Sequence, residues 1–197
     1  MADPKGNESR SSANLGKFEL RWAAMPDLLA LRELMKRSID KLQSAFLSPD
    51  QIIASHAIMG LDTQLIQDGT YLMAIKDGKI AGCGGWSKRA TLYGGDHSID
   101  LRRPDLLNPA HDPAKIRAMY TNPDFVRQGV GKLVLETCEK AAVQHGFRNV
   151  ELMATLSGQP LYARYGYEIV EETEAIVNQI TIPLVRMRKD LLMTNEC

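Results

Sequence analysis

The sequence predicts a single α/β (α+β) domain in which short strands alternate with amphipathic helices, and three observations lead there. Asp77-Gly78 separates two apolar runs, residues 71–76 and 79–87, and an Asp-Gly pair supplies the positive φ angles of a tight hairpin turn. Residues 116–121 read as a strand that passes through Pro123 to Lys132 into a helix over about 129–145, where the apolar positions take up a helical period. Two further strand patterns, 167–171 and 176–188, close the chain. At 197 residues it is most simply one domain, large enough to bury a core.

Charge balances, with 24 Lys and Arg against 24 Asp and Glu. A protein drawn to nucleic acid by long-range attraction usually carries a basic excess, so no nucleic-acid partner is expected. Three cysteines, Cys83, Cys138 and Cys197, lie far apart and are odd in number. They form neither a disulfide framework nor a paired metal-ligand spacing, and no metal is expected. The first residues lack the apolar run of a signal peptide, and no stretch is long enough to span a bilayer. A cytoplasmic protein without a membrane partner is the expectation.

Residues 1–17 are rich in Ser, Asn, Gly and charge, the composition of a disordered tail or an expression remnant. One domain is expected over residues 18–192. Residues 18–22 read as its first strand. Pro26-Asp27 leads into a helix to about Leu42 whose Leu28, Leu31, Leu34 and Met35 share a face. Ser48-Pro49-Asp50 is a helix start, with Ser48 as N-cap and Pro49 at the first helical position. Ile52, Ile53 and Ile58 are the apolar positions expected to follow. Gly82, Gly84 and Gly85 inside the second hairpin strand mark a bulge or a close backbone approach. Residues 93–111 are polar and rich in Pro, Gly and Asp, long enough for a functional loop.

The helix over 129–145 places Val130, Val134, Cys138, Ala141 and His145 on one face, with Glu136 and Lys140 spaced as a supporting pair outside. Gly146 is its C-cap. Residues 150–155 form the next strand, and 157–165 a short helix ended by Gly166. The turn before the long helix carries the chemistry. A glycine-paired turn between strand and helix lets backbone N–H groups and the positive end of the helix dipole meet an anion closely. Arg127 and Lys132 flank that turn with positive charge, which makes it a candidate phosphate or pyrophosphate cradle.

Two motifs in this order resemble the GNAT acetyltransferase superfamily. Ala118 to Phe125 with Gly129-Val130-Gly131 looks like its strand, turn and pyrophosphate loop, and Pro160 to Tyr167 looks like its short Tyr-bearing helix followed by Gly-Tyr. The resemblance covers residues 18–188. It implies a central mixed, mostly antiparallel sheet splayed at the middle and flanked by helices. It also implies acetyl-CoA as co-substrate and acetyl transfer to a primary amine by direct attack through a tetrahedral intermediate. Carried over by position, Gln128, Gly129, Val130, Gly131 and Lys132 would hold the CoA pyrophosphate. Met119, Tyr120 and Thr121 would pair with the pantetheine arm as with an added strand. Tyr162 would protonate the departing thiolate. Two positions depart from the family pattern: Val126 stands where Arg or Gln is preferred, moving the charge to Arg127, and Thr155 stands where an Asn is frequent.

A backbone N–H near Thr121 could stabilise the oxyanion. The alternative for Tyr162 is an aromatic packed on an apolar helix face. No general base is legible. Glu151 could reach the cleft or be a solvated strand end, and Asp96, His97, Asp100, His111 and Asp112 could serve from the loop but read more simply as solvated. His56 and His145 read as structural, Cys138 as a core thiol, and Trp86, Met73 and Met153 as core or cleft wall. A P-loop is excluded because its earlier glycine is missing and Leu133 replaces the magnesium-binding Ser or Thr. A dinucleotide fold fails at Val134. A non-catalytic acetyl-CoA-binding sensor is the alternative of a different class. The acceptor is open, a small molecule being favoured by the loop and the glycine-rich strand, and a homodimer is a common outcome for such domains.

Overall fold

The computed structural model describes residues 18–191; the tail expected over 1–17 lies outside them. Strand β1 (Glu19–Trp22) pairs antiparallel with β2 (Tyr71–Lys76), which turns into β3 (Lys79–Ser87). Asp77 and Gly78 take φ values of 51° and 71° there, the positive pair that a two-residue hairpin turn requires. Strand β4 (Ala114–Thr121) pairs antiparallel with β3 and parallel with β5 (Asn149–Thr155). Strands β6 (Glu168–Val177) and β7 (Ile180–Asp190) complete a seven-stranded sheet in the order β1-β2-β3-β4-β5-β7-β6. Every neighbouring pair but β4–β5 is antiparallel, so the sheet is mixed and mostly antiparallel, as the resemblance implied.

Two irregularities open the sheet at its centre. Strands β4 and β5 share a ladder only at Ala114–Val150 and Lys115–Glu151 and separate beyond it. Cys83 faces Tyr120 while Gly85 faces Arg117, so β4 spends one residue more than β3 over the same stretch. That residue makes a bulge, which bends a strand and re-aims its side chains, and Ala118 holds a φ of 50° within it.

Helices cover both faces. On one side lie α1 (Leu28–Leu42), α2 (Pro49–Ser55) and α3 (Thr63–Gln67); on the other lies α4 (Val130–Gln144), with α5 (Gln159–Arg164) against β5. Alternation along the strands sorts the core. Leu72, Ala74 and Trp86 pack with Val134, Leu135 and Cys138 of α4, whereas Tyr71, Met73 and Cys83 pack with Leu31, Met35 and Leu65. Each fully buried aliphatic side chain of this kind stabilises the fold by about 1.5–3 kcal/mol. Ser48 caps α2 by accepting from the Gln51 amide while Gln51 reaches back to the Ser48 N–H, a reciprocal capping box. Among the described residues no helix is long and apolar enough to cross a membrane.

The elements and their packing depart from the sequence reading in four places. Helix α3 was not expected; Asp62 caps it by accepting from Gln64. Ile53 is exposed, and α2 buries Ala54 and Ser55 instead. The final hairpin turns at Asn178-Gln179, with φ values of 48° and 66°, so β6 runs unbroken through the expected gap at 172–175. That stretch lies on the edge strand, where Thr173 and Ala175 turn inward between exposed Glu172, Glu174 and Ile176, and so small and polar an inner face shows little apolar alternation to read. Glu136 meets Lys132 at 3.7 Å rather than Lys140.

Candidate active site

Where β4 and β5 part, a cleft of about 720 Å³ opens between the two helical layers. It passes through the sheet: Met119 packs in the core against α4, while Ala118 and Tyr120 pack in the core against α1. Of the residues singled out from sequence, Met119, Tyr120, Thr121, Val126, Arg127, Gly129, Val130, Gly131, Lys132, Thr155 and Tyr162 all line it. Gln128 does not line it; its side chain turns to Lys76 at 3.2 Å and to the Asp124 carbonyl at 3.4 Å.

The N-terminus of α4 forms one end of the cleft. Gly129 is its N-cap with φ 87°, and no side chain caps the helix. The first intrahelical acceptor is the Gly129 carbonyl, which receives the Leu133 N–H at 3.1 Å. The amides of Val130, Gly131 and Lys132 precede it and are the donors that a helix start leaves without intrahelical partners. Together with the helix dipole they favour an anion. Arg127 (φ 61°) and Lys132 add formal charge at this end, Lys132 lying 5.7 Å from the Tyr165 ring centroid. Val126, the uncharged departure from the family pattern, is 41% exposed at the rim. Asn122 shapes the approach, accepting from the Asp124 amide and donating to the Ile80 carbonyl.

The bulged strand forms the floor. Tyr71 donates to the carbonyl of Ala118 at 2.8 Å, and Gly84 leaves room for the Met119 side chain. A Cβ at residue 84 would stand 2.1 Å from the Met119 sulfur. Cys83 also reaches the cleft, but burial pushes its thiol up to about 12. It stays protonated at neutral pH and is unfit as a nucleophile.

Tyr162 is buried on the wall that α5 provides, its ring edge-on to Tyr167 with centroids 5.7 Å apart. Burial raises its hydroxyl above the ordinary tyrosine value, with Tyr120 and Cys138 adding to the effect. The phenol therefore carries its proton at neutral pH. Tyr120 is likewise held protonated by burial, and its oxygen accepts from the Gly60 amide at 2.9 Å. Thr155 is engaged in the turn before α5, where its hydroxyl meets Ser157 at 3.0 Å and accepts from the Gly158 amide at 3.2 Å.

The base candidates fall away from the cleft. Glu151 is neither cleft-facing nor solvated. It is buried between Lys115 at 2.5 Å and Arg186 at 2.7 Å, and although burial opposes ionisation these cations hold it below the usual carboxylate range. Asp96 braces Thr63 and Arg102, Asp112 accepts from the Asn108 amide, and His97, Asp100 and His111 are exposed. None of these six lines the cleft. Sequence reasoning missed the buried Arg117–Asp62 pair, whose N–O distance is 2.6 Å. Arg117 lines the cleft and donates to the Gly94 carbonyl at 2.7 Å, fastening the long loop there. Asp62 lies 55 residues away in sequence, so no local signal could have paired the two.

The model of the acetyltransferase (GNAT) family matches residues 32–167. The chain belongs to the GNAT acetyltransferase family. Solved members share its fold at low identity. A GCN5-related N-acetyltransferase from Rhodopseudomonas palustris is 20% identical with a TM-score of 0.66, covering 89% of this chain and 96% of that one. PaiA N-acetyltransferase from Thermoplasma acidophilum, solved in complex with coenzyme A, is 16% identical with a TM-score of 0.61, covering 88% and 99%. YncA from Salmonella typhimurium, solved with its cofactor acetyl-CoA, is 13% identical with a TM-score of 0.58, covering 91% and 99%. Comparison with curated proteins gives no match. Among the described residues no group of three or more His, Cys, Asp or Glu could hold a metal ion.

Proposed function

We propose that this GNAT protein is an N-acetyltransferase that moves an acetyl group from acetyl-CoA to a primary amine of a small-molecule acceptor. The observation that carries the reading is the convergence of three features on one cleft. These are the uncapped start of α4, the edge of β4 freed where β5 departs, and the hydroxyl of the buried Tyr162.

The residues fit acetyl-CoA in kind. The backbone from Gln128 to Lys132 would hold the pyrophosphate, with Arg127 and Lys132 supplying charge in place of Val126. Met119, Tyr120 and Thr121 would pair with the pantetheine arm. Bound acetyl-CoA supplies the activated acyl group as a thioester. The chain supplies orientation, a proton held on Tyr162 for the thiolate, and a backbone donor near Thr121 for the oxyanion, terms that each lower a barrier only if placed before the reaction. Thr155, occupied in its turn, shapes the wall.

The long loop favours a small acceptor. Tyr93 and Gly94 line the cleft, and Arg117 ties Gly94 down on one side while Thr91 bonds Arg103 on the other. Two experiments test the reading. Acetyl-CoA should raise the melting temperature of the full chain in a concentration-dependent way, and thiol release should accompany acetylation of at least one member of an amine panel. Binding without turnover across the panel would instead favour a non-catalytic sensor.

A further inference from the structure

The acceptor side of the cleft, on the face covered by α1, has an unusual charge inventory. Among the described residues that line the cleft there is no Asp, Glu or His. Its charged members are Arg117, Arg127, Lys132 and Arg164, all cationic. Three of these belong to the α4 and α5 end, which leaves Arg117 as the one charged side chain on the acceptor side. Its side chain is 3% exposed and its guanidinium is paired with Asp62, whose oxygens are also taken by Arg102 and by the Gln64 amide. Asp62 has no capacity to spare for a ligand cation. The rest of this wall is uncharged, with Ile39, Leu42, Phe46 and Met59 beside Ser38, Tyr93 and Tyr120. Gln43, also on this wall, is buried, and its side-chain oxygen has no partner among the described residues.

From this inventory, and resting on the acetyltransferase reading above, we infer that the acceptor is a primary amine on an apolar body without further positive charge, taken up as the free base. A second ammonium group on the acceptor would find no free counter-charge on this wall, since Asp62 is committed to Arg117 and Arg102, and an unpaired charge in a partly desolvated site is costly. An ammonium at the reacting end would likewise find no carboxylate or imidazole to take its proton. The neutral amine is therefore the species bound, and solvent accepts the proton beforehand. Aryl-alkyl or alkyl monoamines fit these walls. Polyamines, aminosugars bearing several amines, and lysine-rich tails do not.

The test compares 2-phenylethylamine with spermidine as acceptors for the full chain at saturating acetyl-CoA, following thiol release across pH. The monoamine is expected to have the higher kcat/KM by tenfold or more, rising with pH along its own ionisation. In Phe46→Glu, a change at a half-exposed rim position that supplies the missing counter-charge, the ratio should move toward spermidine by about tenfold. Spermidine equal to or better than the monoamine in the unaltered protein would overturn the inference. So would a pH profile that levels off well below the amine's own pKa. Failure of all monoamines in a protein that still binds acetyl-CoA, measured by titration calorimetry, overturns the acceptor class and leaves the cofactor reading standing. Failure to bind acetyl-CoA removes both.

Discussion

The hydroxyl of Tyr71 donates to the carbonyl of Ala118 at 2.8 Å, spanning two strands to pin the bulge of β4 from beneath. Ala118 holds a positive φ of 50°, a conformation that a non-glycine residue keeps only when its surroundings enforce it. The bond therefore connects a core side chain on β2 to the direction in which Met119, Tyr120 and Thr121 face the cleft.

Tyr71→Phe removes the donor and leaves the aromatic packing in place. Losing a hydrogen bond to this part-buried carbonyl costs about 0.5–1.5 kcal/mol, so the midpoint of urea denaturation should fall accordingly. Acetyl-CoA affinity, read by titration calorimetry, should weaken several-fold as the bulge relaxes. Unchanged affinity would show that the bulge keeps its shape without this bond.

Gly84 offers a sharper test of the same floor. Its missing Cβ is the space that Met119 occupies, 2.1 Å from the position a Cβ would take. Gly84→Ala should displace Met119, destabilise the fold by about 1–3 kcal/mol through overpacking and weaken acetyl-CoA binding. Adding Met119→Ala should recover part of the stability, a coupling that a double-mutant cycle reads directly.

Gly129 separates backbone conformation from packing, because nothing lies within 4 Å of where its Cβ would stand while its φ is 87°. Gly129→Ala adds no clash and costs about 1–2 kcal/mol of left-handed strain. If that strain is relieved by reshaping the turn, acetyl-CoA affinity falls by about tenfold, since about 1.4 kcal/mol is a factor of ten. Equal affinity in calorimetry would place the anion elsewhere.

Much of this was legible before the structure, for local reasons. Asp77-Gly78, Ser48-Pro49 and Gly129 each specify a backbone conformation within a few residues, and the elements they bound fell where expected. What escaped depends on distant partners. Glu151 looked like a strand end because the cations that bury it, Lys115 and Arg186, come from two other strands. Arg117 and Asp62 are 55 residues apart, and nothing in either neighbourhood announces the pair. Helix α3 is short, five residues beyond its Asp62 cap, too brief for a helical period to show. The middle of β6 turns only Thr173 and Ala175 inward between exposed glutamates, and so small and polar a face gave little apolar alternation to read.

Glu151 sets a pH dependence of stability whose sign is fixed. Lys115 and Arg186 depress its folded value below that of the unfolded chain, about 4.3. Its contribution is therefore present above that unfolded value and lost as pH falls through the folded one. Glu151→Gln leaves Lys115 buried without its counter-charge and should cost about 3–5 kcal/mol at neutral pH. The difference from the unaltered protein, followed by urea denaturation, should shrink as the medium is acidified. A difference independent of pH would mean the pair contributes by packing alone.

Tyr162 carries the central claim, because it joins the cleft to acyl transfer. The deciding measurement is thiol release from acetyl-CoA at saturating amine, with Tyr162→Phe beside the unaltered protein and acetyl-CoA affinity measured on both. Loss of a proton donor of this kind should lower kcat by about 10²–10⁴-fold while the affinity for acetyl-CoA stays within a few-fold. Equal turnover by the two proteins would contradict the account.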